Sequence, residues 1–96
     1  MSIIEVEIYI NQFVGFFEKN PNDLIELIGE LNKEKFYDEV KKQSIQNYEN
    51  GDDVSLTHKQ LIDIVVKLKK VEDTPKEREI INQHLIMTKF GGFSLN

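Results

Sequence analysis

One boundary in the chain is specified three times over. In "SLTHKQL", Thr57 and Gln60 match the T-x-x-Q capping box, in which each side chain satisfies a backbone N–H that the first turn of a helix leaves unpaired. Leu56 and Leu61 occupy the two flanking positions of a hydrophobic staple. A helix must therefore start at residue 57 or 58, and Leu61, Ile64, Val65, Leu68 and Val71 continue as its apolar stripe, with Lys59, Asp63, Lys67 and Lys70 on the wet face. The grammar repeats in "DTPKERE": Thr74 is a cap, Pro75 takes the first helical position where its missing N–H costs nothing, and Glu77 completes a second box. Ile80, Ile81, Leu85 and Thr88 carry this last helix to Gly91-Gly92.

The rest of the chain reads in the same way. Ser2 and Glu5 match an S-x-x-E box, and Ile3, Val6, Ile10, Phe13 and Phe17 follow at three- and four-residue steps, which predicts a helix. Ile4, Val6, Ile8 and Ile10 also alternate and are β-branched, so a strand over residues 3–10 is the competing expectation. In "NPNDLIELIGELN", Asn20 is the expected cap, Pro21 the first helical residue, and Leu24, Leu27, Ile28 and Leu31 the buried stripe. Gly29 lies inside this helix as a point of close approach to a neighbour. "KEKFYDEVKKQSIQNYENG" sets Phe36 and Val40, with Tyr37, Ser44 and Tyr48, at helical spacing and stops at Asn50-Gly51. The expected fold is all-α: one domain over residues 1–96, a small bundle of four or five short helices (four if the N-terminal segment is a strand), ending in a short tail over 91–96.

Composition narrows the function. Seventeen acidic residues stand against twelve basic ones, a formal net charge of −5, and Arg78 is the one arginine among those twelve. Nucleic-acid binding needs clustered Lys and Arg to displace counterions from phosphates, so an acidic chain without a basic segment argues against it. The hairpin over 57–85 nevertheless has the outline of a helix-turn-helix, and a nucleic-acid-associated regulator is the alternative functional reading. Its turn, Glu72-Asp73-Thr74, is acidic where phosphates would approach. The start of its second helix, Lys76-Glu77-Arg78-Glu79, offers glutamates where base edges would lie. No apolar run suggests a membrane span, and the N-terminus carries Glu5 and Glu7 where a signal peptide would be uninterrupted, so the expected location is cytoplasmic.

No catalytic, cofactor-binding or metal-binding residue is assigned, and the expectation is that the protein is not an enzyme. Cysteine is absent, there is no Gly-x-Ser-x-Gly, and no glycine-rich loop precedes a lysine. His58, expected to be exposed, and His84, beside the last apolar stripe, fall on different helices. Aligning Gly51 with the glycine of a calcium loop puts Gln46, Tyr48, Asn50 and Thr57 at ligand positions, where carboxylates are required. The candidate partner-binding residues are apolar: Phe16, which widens the stripe of Phe13 and Phe17, and Phe90, Phe93 and Leu95 of the tail "KFGGFSLN". The expected function is that of a small acidic interaction or accessory protein, engaging another protein or a second copy of itself.

The stretch "NYENGDDVSLTHKQLIDIVVKLKK" and the short helical layout rich in lysine and isoleucine over residues 20–96 resemble the small uncharacterised helical proteins of T4-like marine phages. The resemblance implies an accessory protein acting in the cytoplasm of a bacterial host and assigns no activity to any residue.

Overall fold

In the computed structural model, residues 3–87 are described, and within them every regular element is helical: α1 (Ile4–Lys19), α2 (Pro21–Ile28), a single 3₁₀ turn (Glu30–Asn32), α3 (Lys33–Glu49), α4 (His58–Lys69) and α5 (Pro75–Met87). The strand expected as an alternative over residues 3–10 is helix. Val6, Tyr9, Phe13 and Phe17 share one buried side at 3.6-residue spacing, which an extended chain would have split between two faces. Ser2 lies outside the described residues; Ile3 is at the cap, and its carbonyl accepts from Glu7 N–H at 3.1 Å.

Phe13 is the centre of the core. Its ring lies 5.8 Å from Tyr9, 5.3 Å from Phe17, 5.6 Å from Phe36 and 6.4 Å edge-on from Tyr37. These tilted and edge-to-face geometries match the ring quadrupoles and add roughly 0.5–1.5 kcal/mol per pair beyond burial. Since Phe17 meets Phe36, Ile10 lies beside Lys41, and Ile3 lies beside Ile45, α1 runs antiparallel to α3. Leu27 and Ile28 of α2 and Leu61, Ile64, Val65, Ile81 and Leu85 of the last two helices close the same core.

Two helix ends differ from expectation. Asn20, expected as the cap of α2, is the C-cap of α1. Its side-chain amide donates to Phe16 O at 2.9 Å and its backbone N–H to Phe16 O and Phe17 O, so it closes α1. Gly29 is not a residue of close approach. No atom lies within 4 Å of where its Cβ would be, and its φ of +81° ends α2 at Ile28. This left-handed turn takes Leu31 off the stripe to which its spacing assigned it, and Leu31 is 95% exposed. Asn32 then ties the turn down, donating to Ile28 O at 2.9 Å and to Leu68 O of α4 at 3.3 Å. The side chain of Leu24 is outside the description.

The predicted stop at Asn50-Gly51 is a Schellman end: Gly51, at φ +79°, donates to Tyr48 O at 3.1 Å and Asp52 to Asn47 O at 2.8 Å. The following loop is tied to the core. Ser44 Oγ donates to Val54 O at 2.7 Å, and the N–H of fully buried Leu56 donates to Tyr9 Oη at 3.2 Å. At Thr57 the capping box forms reciprocally, with Gln60 N–H to Thr57 Oγ1 at 3.1 Å and Thr57 N–H to Gln60 Oε1 at 3.0 Å. Leu56 and Leu61 are both fully buried, as a staple requires. Gln60 also pairs amide to amide with Asn47, at 3.1 and 3.0 Å, and Gln43 donates to Asn47 Oδ1. A 4%-exposed asparagine is thereby satisfied between α3 and α4.

The second box is half made. Thr74 Oγ1 accepts from Glu77 N–H at 3.1 Å, while the Thr74 N–H donates to Glu72 O. Ile80, placed in the buried stripe from its spacing, is 52% exposed, and Ile81 and Leu85 alone carry the described part of that stripe. Thr88 and Gly91-Gly92 lie outside the described residues.

Burial pushes the Tyr9 hydroxyl up to about 12, against a smaller opposing effect of the Leu56 N–H. Because the folded value lies above that of the unfolded chain, this stabilisation is complete below pH 10 and is lost as pH rises through 10 to 12. Tyr9→Phe leaves the Leu56 N–H without its acceptor and should cost about 1–3 kcal/mol at neutral pH. It should also flatten the alkaline loss of stability, both read from urea unfolding at pH 7 and pH 11. An unchanged midpoint at pH 7 would show that the bond does not hold the loop.

Candidate interaction surface

Phe16 is half-buried. Its ring meets Phe17 edge-on at 5.2 Å and packs against the core cluster, so much of its surface is spent within the fold. Phe90, Phe93 and Leu95 lie outside the described residues. Of the four apolar residues singled out from sequence, the structure therefore places one, at the margin of the core.

Three charged side chains of the hairpin, Asp63, Asp73 and Arg78, are engaged with one another. Arg78 Nε donates to Asp73 Oδ1 at 2.6 Å and Nη2 to Asp73 Oδ2 at 3.3 Å, and the same Nη2 donates to Asp63 Oδ1 on α4. The only arginine thus joins α4, the turn and α5, with its fork turned inward to two carboxylates. The Arg78 guanidinium holds the Asp73 carboxyl below its usual range, and hydrogen bonds to Asp73 and then Asp63 push Arg78 up. On the neighbouring face Glu39 accepts from Lys67 at 2.8 Å and lies 3.6 Å from Lys42; the Lys67 bond chiefly lowers its carboxyl.

His58 is not exposed as expected: it is half-buried, and its Nε2 is inaccessible and unbonded among the described residues. Tyr37 Oη is in the same position, and burial, with Glu18 nearby, pushes that hydroxyl up. Among the described residues no group of three His, Asp or Glu side chains is placed to hold a metal ion. No described helix is long and apolar enough to cross a membrane.

What the surface does offer is apolar. Ile4 is 59% exposed and Ile8 52%, one turn apart on the side of α1 roughly opposite its buried stripe. Leu31 stands almost wholly in solvent, and Ile80 and Ile86 are half exposed on α5. Two open grooves accompany these side chains. One, of about 300 Å³, is floored by Leu68 beside Asn32 and lined by Lys35, Lys67 and Lys70 with Asp38 and Glu39. The other, of about 560 Å³, lies between the start of α1 and the end of α3, against Ile3, Ile45, Tyr48 and Glu49. Sequence reasoning missed Leu31 because its spacing fits a continued helix; the signal was Gly29, whose left-handed turn breaks that register. Compared with protein families, curated proteins and solved structures, the chain matches none.

The clamp on Arg78 has a pH signature. A carboxylate lowered by its partner contributes stability that is present above its unfolded value and is lost as pH falls through the folded one. For Asp73 that window lies below about pH 4. Asp73→Asn should lower the urea midpoint at pH 7 and make the decline from pH 4 to pH 2 shallower than in the wild type; an equally steep decline would remove the clamp from the account.

Proposed function

We propose that the chain is a small non-enzymic accessory protein that works by binding other protein surfaces, in keeping with a place in the cytoplasm of a phage-infected bacterium. One observation carries this reading: a bundle whose core is closed by Phe13 and its neighbours leaves Ile4, Ile8, Leu31, Ile80 and Ile86 at half exposure or more. Each burial of such a side chain against a partner is worth roughly 1.5–3 kcal/mol, and the fold gains nothing from leaving them in water. In the groove beside Leu31, Glu39 is held by Lys67 at 2.8 Å, and the groove between α1 and α3 is lined by one carboxylate, Glu49.

A nucleic-acid regulator built on the 57–85 hairpin finds less support. Arg78, the residue best suited to a phosphate or a guanine edge, is bonded to Asp63 and Asp73, and Glu77 and Glu79 flank it.

A photo-crosslinking amino acid at Ile8, compared with the same group at Lys59 on the exposed side of α4, tests the reading in living host cells. Discrete protein adducts at position 8 and none at position 59 are expected. Adducts that are indistinguishable at the two positions would contradict a specific apolar surface.

A further inference from the structure

Asn50 is the only asparagine in the chain that is followed by glycine, and the pair sits exposed where α3 ends. An asparagine amide is an electrophile that the next backbone nitrogen can attack to close a five-membered ring. Glycine, lacking Cβ, leaves that nitrogen unhindered. We infer that Asn50-Gly51 is a self-modification site, at which the chain deamidates itself when the end of α3 opens. The Gly51 nitrogen forms a bond to Asn50 Cγ, the Cγ–Nδ2 bond breaks, and the Gly51 amide proton leaves with Nδ2 as ammonia. A water molecule then opens the succinimide. Cleavage of the new N–Cγ bond gives aspartate; cleavage of the original peptide bond gives isoaspartate, whose main chain runs through Cβ and Cγ. No oxidant or reductant enters.

The closed helix end holds this reaction back. Ring closure needs the Gly51 nitrogen to eclipse Cβ of Asn50, but a ψ of −1° at Asn50 makes it eclipse the Asn50 nitrogen instead. That same nitrogen is engaged, since Gly51 N–H donates to Tyr48 O at 3.1 Å, and the next N–H, of Asp52, donates to Asn47 O at 2.8 Å. Both bonds must be released before the chain can turn about the Cα–C bond of Asn50. Solvent has access: Asn50, Gly51 and Asp52 are exposed, and beyond its chain neighbours no atom lies within 4 Å of where a Gly51 Cβ would be. The reaction also prevents its own reversal. Either product adds a carboxylate at the negative end of the α3 dipole, beside exposed Glu49, Asp52 and Asp53. Isoaspartate further lengthens the main chain by a methylene, so the Schellman bonds no longer fit. Other asparagines lack one element or another. Asn20 precedes Pro21, which has no N–H to lose, and Asn47 is buried with its amide bonded to Gln60. The modified fraction therefore records how often the end of α3 has been open.

Mass spectrometry of the full chain, stored in mildly alkaline buffer, tests this. The native chain should gain the mass difference between amide and acid, mapped by fragmentation to Asn50, and Asn50→Gln should block the gain. The same chain unfolded in guanidinium chloride should react roughly tenfold faster, because two hydrogen bonds of ordinary net strength close the end. Ser44→Ala removes the bond from Ser44 Oγ to Val54 O and loosens the loop beyond α3, so it should raise the native rate several-fold. If circular dichroism shows Ser44→Ala to be unfolded, Tyr9→Phe, which frees the far end of that loop, takes its place. Val65→Ala weakens the core away from the loop and should leave the native rate unchanged. A native chain that gains no mass at Asn50 overturns the site. Equal rates in the native and unfolded chains overturn the gate, as does a Val65→Ala rate raised as much as that of Ser44→Ala, which would route the reaction through unfolding of the whole chain.

Discussion

The packing of Phe13 against Phe36 is the interaction on which the remaining structure depends. It joins α1 to α3 across the chain reversal made by α2 and the 3₁₀ turn, and both rings are wholly buried. With Phe17 and Tyr37 edge-on to this pair, the antiparallel register of the two longest helices is set by aromatic geometry as well as by area. Tyr9, one turn before Phe13, extends the same stripe to the loop, where its hydroxyl accepts the buried N–H of Leu56. That bond holds Leu56, the residue before the cap of α4, against α1, and the Leu56–Leu61 staple and the Thr57 box then direct α4 back along α3. Local grammar and long-range packing agree at this point, the condition under which a short sequence specifies one structure.

How much of this was legible follows from where the information lies. Capping boxes are local: a side chain and an N–H three residues apart suffice, so the start of α4 and the Schellman end of α3 were readable from "LTHKQL" and "NG". The choice of helix for residues 3–10 was readable as well, once the phenylalanines extended the stripe beyond what alternation could explain. Side-chain direction after a glycine was not. Spacing alone assigns Leu31 to the stripe of Leu27, but a φ of +81° at Gly29 rotates everything beyond it. Ile80 failed for another reason: its neighbour Ile81 competes for the same side of α5, and only packing against α4 decides between them. Of the apolar residues chosen from the sequence for a partner, Phe16 alone falls among the described ones, and the exposure of Ile4, Ile8 and Leu31 was not legible, because exposure is a property of neighbours distant in sequence.

The hairpin that first suggests DNA binding illustrates how charge pairing limits function. An arginine with its fork closed on two aspartates is a structural strut, and releasing it to meet a phosphate would leave both carboxylates facing the same polyanion. The acidic turn that looks unsuited to DNA is the turn that this strut requires. Lys67 and Glu39 do the same between α3 and α4. Ion pairs join α3 to α4 and α4 to α5 across their wet faces.

The molecule has a closed interior and a set of apolar side chains left in water, and the two should respond differently to a probe in solution. A soluble paramagnetic agent followed by methyl resonances in NMR tests that division most directly. The methyl signals of Ile8 and Leu31 should broaden as the agent is added, while those of Val40 and Val65, buried in the core, remain sharp. Ile8 and Leu31 signals that stay sharp, or broadening that includes the core valines, would contradict the account.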